Sequence, residues 1–277
     1  MGIVWVLGAG FSKSLGGPLL PALLSRRSSE RIRAVYPDAQ EVNDGWGVQT
    51  VRQMLSLHGW ERTPSQPAWM DAEEFLEQLD AAALFPDSAA RRLVRMRAER
   101  ELDGTQFEDL AAAAKRIVAA ECCLFLKEAD VDSERWRPYV NWAGSLHASD
   151  TIVTFNYDRV VEMAAQAAKV GLDIVAGGQP IRKGFPRLLK MHGSVDWQAT
   201  STGEVLLVED VEHAVRCPSG QLGIASPGPS KLAFSQRWTA SGRARRPRSA
   251  RPTRLSSPAI GFPLLTRSLE NVCSARS

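Results

Sequence analysis

Three short stretches of this 277-residue chain carry side chains that can do chemistry. Residues 6–18 read VLGAGFSKSLGGP. Gly8 and Gly10 lack a Cβ, so the backbone there can turn sharply and bring its N–H groups close to a phosphate. Residues 154–158 read TFNYD. On an extended chain the i, i+2 spacing turns Asn156 and Asp158 to one side and Tyr157 to the other. A carboxamide there can orient a water; the structural alternative is an Asx turn that caps a helix beginning at Arg159. Residues 190–197 read KMHGSVDW. His192 carries an imidazole, whose ordinary pKa of about 6.5 suits proton transfer near neutrality, and Gly193 allows a close turn beside it. His58 repeats the His-Gly pair, but its segment reads as helix running into loop; His147 and His213 have no supporting context.

The elements that must position these groups follow from hydrophobic patterning. Residues 3–7 form a short, wholly apolar run ending at the glycine loop, which reads as a buried parallel strand. A short helix is expected after Pro18, at about 19–26. From about 70 to 148 the pattern is helical, with Phe107, Leu110, Ala114, Ile117 and Leu124 recurring at helical spacing. Strands return at 151–155, 172–175, 187–191 and 205–208, with a helix at about 159–170. Strands alternating with helices predict an α/β fold, a Rossmann-like doubly wound parallel sheet with a helical insertion after the first strand. Such a fold gathers the glycine loop, Asn156, Asp158 and His192 at the carboxyl edge of the sheet, where ligands bind in open α/β folds. The glycine loop is not a dehydrogenase fingerprint, because Lys13 occupies the sixth position of G-x-G-x-x-G and no acid-ended second strand follows.

Composition narrows the class. Hydrophobic residues make up 44% and charged residues 23% of the chain, as in ordinary globular proteins. The apolar runs are strand-sized, so no membrane partner is expected. The start has no basic leader, and Val6 breaks the myristoylation pattern, so a cytoplasmic location is expected. None of the four cysteines, Cys122, Cys123, Cys217 and Cys273, forms a C-x-x-C pair; no metal is expected, and Cys122 and Cys123 read as core packing. The formal net charge of +3 is uneven: from Ser235 onward nine arginines face one acid, Glu270. An Arg-rich tail can bind nucleic acid, but a different origin for it is preferred below.

Taken together and in this order, GAG-F-S, TFNYD and HGS resemble the SIR2-like family, the relatives of the sirtuins, over residues 3–231. The resemblance implies that Gly8, Ala9, Gly10, Phe11 and Ser12 hold the pyrophosphate of NAD. It also implies that Asn156 and Asp158 serve the nicotinamide ribose and carboxamide, and that His192 is the general base. The four-cysteine zinc module of the protein deacylases is missing after the His-Gly pair. The chain therefore looks like the bacterial branch in which the domain is an NAD hydrolase of anti-phage defence, joined to a sensor protein or assembled as a homo-oligomer. NAD is then substrate. The alternatives are an NAD-dependent protein deacylase and a non-catalytic NAD or ADP-ribose sensor.

The resemblance also sets an expectation for the C-terminus. The domain is expected over 1–234, with 235–277 an out-of-frame or disordered tail. Domains of this type continue after a PS-K stretch, here Pro229 to Lys231, with a helix containing W-x-x-A and a strand closing on G-Y-x-L-P-x-x-D. This chain has Trp238 and then turns to Arg, Pro and Ser without periodicity. Reading the codons of 244–266 one nucleotide earlier permits RAAASERAADSSVFTGYRLPLAD. Thr253 and Thr266 then fall in the codon class that contains Asp, Ala259 in that of Gly and Ile260 in that of Tyr. Sequencing the gene and assaying both frames is expected to find NAD turnover by the restored chain well above that of the chain as it stands; equal turnover would refute the frameshift.

Overall fold

The computed structural model describes residues 2–58, 72–98, 102–127, 129–200, 204–210, 212–218 and 221–225, all within the unit Met1–Ala244. The Arg-rich tail, the 234/235 boundary and Cys273 lie outside the described residues. Strand β1 (Val4–Leu7) runs into the glycine loop and the single turn α1 (Gly10–Lys13). The helix expected at about 19–26 is a 3-10 turn, Leu20–Ala22, with Pro21 inside it. Helix then begins earlier than the expected insertion, as α2 (Arg26–Val35), α3 (Gln40–Asn43) and α4 (Trp46–His58). Helix α2 is highly polar, and Ile32 and Ser28 are among its few buried residues, so its sequence carries little periodic signal. It starts where the Ser25 hydroxyl accepts the Ser28 N–H, an ordinary N-cap.

The expected helical block follows as α5 (Ala72–Leu84), α6 (Ala89–Ala98), α7 (Gly104–Leu124) and α8 (Arg137–Gly144). Helix α7 is its axis. It opens with a reciprocal capping box between Asp103 and Gln106, which satisfies two N–H groups that the helix itself leaves unpaired. Its Phe107, Leu110, Ala114 and Ile117 are buried in one cluster with Val51 and Met54 of α4 and Phe75 and Leu79 of α5. The alanines of 111–114 and 119–120 let neighbouring helices come close.

The chain then forms β2 (Thr151–Thr154), α9 (Val160–Ala167), β3 (Asp173–Ile174) and β4 (Arg187–Lys190). With β1 they make a four-stranded sheet in the order β1-β2-β4-β3, every pair parallel. The fold is thus mixed α/β around a parallel sheet. Sequence reading missed the next strand, β5 (Gly193–Ala199), which with β6 (Val205–Leu207) and β7 (Leu222–Ile224) forms a separate antiparallel sheet, β6-β5-β7; the short helix α10 (His213–Arg216) lies between β6 and β7. Strand β5 was obscured because Ser194 and Asp196, both buried, interrupt its apolar residues.

The parallel sheet is covered unevenly. Trp5, Leu7, Ile152 and Leu188 share a face and pack with Trp142 of α8 and Val161 and Ala164 of α9. Val4 and Val6 lie on the other face and are 65% and 62% exposed. Phe155 and Met191, also exposed, continue the same alternation beyond the strand ends. The strands β1, β2 and β3 advance in one direction across the sheet, and right-handed crossovers in one direction put their helices on one face. Parallel strands are normally buried on both faces, so this exposed apolar surface is a candidate for binding hydrophobic probes. The folded protein is expected to enhance anilinonaphthalene sulfonate fluorescence, and Val4→Lys with Val6→Lys to reduce that by about half or more; an unchanged signal would show that this face is covered.

Candidate functional site

The parallel register brings the three chemical stretches together. Leu7 lies beside Thr154 and Thr154 beside Lys190, so all three strands end level. Phe155 N–H bonds to Leu7 O at 3.1 Å and Met191 N–H to Thr154 O at 2.9 Å. The residues that follow, Gly8–Gly10, Asn156–Asp158 and His192–Gly193, therefore leave the sheet at one carboxyl edge, as the sequence predicts.

Asn156 and Ser12 tie the first two stretches. Asn156 Nδ2 donates to Gly8 O at 3.0 Å and to Ser12 Oγ at 3.1 Å. Gly8 O can only accept, which fixes the carboxamide with its nitrogen toward the loop and Oδ1 away from it. Ser12 Oγ in turn donates to Asp158 Oδ2 at 2.7 Å, and Asp158 Oδ1 accepts from Val160 N–H at 3.0 Å. Asp158 thus does form the Asx turn at the start of α9, while its second oxygen anchors the glycine loop. Burial pushes the Asp158 carboxyl above the usual carboxylate range, against the pull of Lys190 and the hydrogen bonds from Ser12 and Val160.

Lys190 ties the second stretch to the third, and sequence reading missed it. Its side chain is 0% exposed. The ammonium donates to Asp158 O, to Glu162 Oε1 at 2.8 Å and to Ser194 Oγ at 2.7 Å, one acceptor for each proton. Ser194 Oγ donates in turn to Asp196 Oδ1, and Asp196 pairs with Arg159 at 2.9 Å. Burial pushes the Glu162 carboxyl up, with Lys190 opposing. The signals were present, since Lys190 immediately precedes Met-His-Gly and Glu162 stands one helical turn after Asp158, but neither has a motif of its own.

His192 faces the aromatic rings of Phe155 and Tyr157, at centroid distances of 5.5 Å and 5.7 Å. Gly193 has φ +77°, a left-handed conformation that favours glycine and turns the chain from β4 into β5. A cavity of about 210 Å³ is walled by Ala9, Asn156, Asp158, His192, Tyr157 and Glu73, with Pro18, Leu20 and Leu76 among its apolar lining. Tyr157 does not face away as strand alternation predicted: it lines the cavity, because β2 ends at Thr154 and the alternation carries no further than Phe155. Its hydroxyl donates to Ala225 O at 3.0 Å. Cys122 also lines the cavity, its thiol pushed well up by burial, which disfavours the thiolate.

The other expected site residues are placed differently. Phe11 lies against Tyr139 at 5.0 Å and Trp142 at 5.2 Å, anchoring the loop in the core under the sheet. Ser12 is buried and its hydroxyl is engaged on both sides by Asp158 and Asn156. A Cβ built on Gly8 or Gly10 meets nothing within 4 Å, and neither glycine has positive φ. No described neighbour therefore requires glycine at either position. Among the described residues no group of three or more His, Cys, Asp or Glu side chains converges as a metal site, and no helix is long and apolar enough to cross a membrane. No family model matches the chain, and no curated protein matches it.

Removing a buried cation from beneath its carboxylate is costly. Lys190→Met is expected to destabilise the protein by about 3–5 kcal/mol in denaturant unfolding, and Lys190→Met with Glu162→Leu to recover much of that loss. A loss below about 1 kcal/mol for the single variant would show that the pair does not hold the two loops.

Proposed function

We propose that this chain hydrolyses NAD at the nicotinamide–ribose bond, releasing nicotinamide and ADP-ribose. The observation that carries the reading is the pairing of Asn156 and His192 on one cavity beside a glycine loop whose Cβ positions are open space. A phosphate approaching the backbone at Gly8, Ala9 and Gly10 accounts for glycines that no described neighbour demands. The cavity has room for the nicotinamide riboside end, and the pyrophosphate then lies over the loop that Phe11 and Ser12 hold in place.

In this reading the C1′–nitrogen bond breaks with its electron pair passing to the nicotinamide ring, which leaves neutral and needs no acid. Positive charge builds at C1′ and the ring oxygen. Asn156 Oδ1, turned away from the loop, accepts a hydrogen bond from the attacking water or from a ribose hydroxyl. His192 takes the proton as the water oxygen bonds to C1′. Asp158 keeps the loop and Asn156 in register and faces the carboxamide end. The finer fold proposal, a Rossmann-like doubly wound sheet, is favoured by the parallel strands and the ligand-side edge; it requires a further strand beyond β1. The exposed Val4 and Val6 support the reading that residues 235–277 are out of frame, since a strand and helix supplied by the restored frame would be placed to cover them. A cytoplasmic NAD hydrolase of bacterial anti-phage defence, working with a sensor protein or as a homo-oligomer, is the role the motif resemblance favours.

The test is nicotinamide release from NAD without any peptide, using the frame-restored chain if the given one is weak. Asn156→Ala and His192→Ala are each expected to lower turnover about 100-fold or more with circular dichroism unchanged. Release that needs an acylated peptide would make the protein a deacylase, and tight NAD binding without turnover would make it a sensor.

A further inference from the structure

We propose that a second cavity, on the other side of the loop after α1, binds a phosphate monoester. It measures about 270 Å³ and its lining includes Lys13, Gly17, Arg27, Ser28, Arg31 and Glu121. Pro18 lines both this cavity and the one that holds Asn156 and His192. Three cations face one carboxylate. That carboxylate is committed, because both Glu121 oxygens accept the Leu24 N–H, at 3.2 Å and 3.0 Å.

The cavity lies at the N-terminus of α2, a ten-residue helix with no acid in its first turn. The positive end of a helix favours anions and disfavours cations, yet Arg27 stands in that first turn and Arg31 one turn later on the same side. An anion between them removes the conflict. A separate observation points to the same ligand. Ser28 is 7% exposed, and its Oγ has no hydrogen-bond partner among the described residues, although the Ser28 N–H is already taken by Ser25. A buried hydroxyl without a partner loses free energy unless something supplies one, and a phosphate oxygen can accept from it. Lys13 lines the cavity and opens a tight turn in which Gly16 N–H bonds to Lys13 O at 3.0 Å and Gly17 N–H to Ser12 O at 3.0 Å.

Two arginines, a lysine and a hydroxyl at a helix N-terminus suit a dianionic phosphate better than a monoanion. Leu19 and Leu124 on the wall give room for an apolar or aromatic group attached to it, and the size favours a small molecule over a polymer. The site does not depend on NAD cleavage, so its test reads binding alone.

The full chain is titrated calorimetrically with inorganic phosphate and with AMP, and with adenosine as the uncharged control. Phosphate and AMP are expected to bind and adenosine not to. Arg27→Gln with Arg31→Gln is expected to weaken AMP about tenfold or more, Arg27→Lys with Arg31→Lys to retain most binding, and Ser28→Ala to weaken it several-fold with circular dichroism unchanged. Absence of phosphate and AMP binding at millimolar concentrations would overturn the proposal. So would AMP binding that is unaffected by the Arg27→Gln, Arg31→Gln change, which would place the phosphate on the Gly8–Gly10 loop.

Discussion

The ammonium of Lys190 is the constraint on which the site depends. A lysine removed from water must find acceptors for all three protons or lose its charge. Here the acceptors come from the loop after β2, from α9 and from the start of β5. No one of these elements can move without leaving a buried charge short of a partner. Because Lys190 is two residues before His192, this balance also sets where the imidazole stands relative to Asn156.

The second tie works by hydrogen-bond direction. Gly8 offers a carbonyl that can only accept, so the Asn156 carboxamide has one possible orientation, and Ser12 relays that orientation to the buried Asp158. The loop therefore needs no side chain of its own at Gly8 or Gly10 to stay in place. Its exposed side is left as bare backbone, which suits close approach by an anion.

The two layers of the protein solve different problems. Around α7, alanines and long apolar side chains build a helical core that accepts great variety at its surface, including the arginine-rich α2 and α6. The parallel sheet has no such freedom. It is packed on the face toward α8 and α9, whereas Val4 and Val6 meet solvent on the other. A parallel sheet gains most of its stability from burial on both faces, so the open side is where further structure has the most to add.

Much of the site was legible in the sequence because it sits at strand ends. An apolar run followed by Gly8, Asn156 or His192 locates both the strand and the chemistry, and the equal lengths of β1, β2 and β4 align them. The axis of the helical block was legible too, since Phe107, Leu110, Ala114 and Ile117 keep one face. Tertiary structure decided what depends on partners distant in the chain. Phe11 reads as a cofactor residue but is drawn into the core by Tyr139 and Trp142. Tyr157 enters the cavity because the strand stops one residue earlier than its pattern. Lys190, Glu162 and Ser28 carry no motif of their own, and charge or polarity in a sequence ordinarily announces exposure. Only packing reveals that water has been taken from them and that their partners are specific.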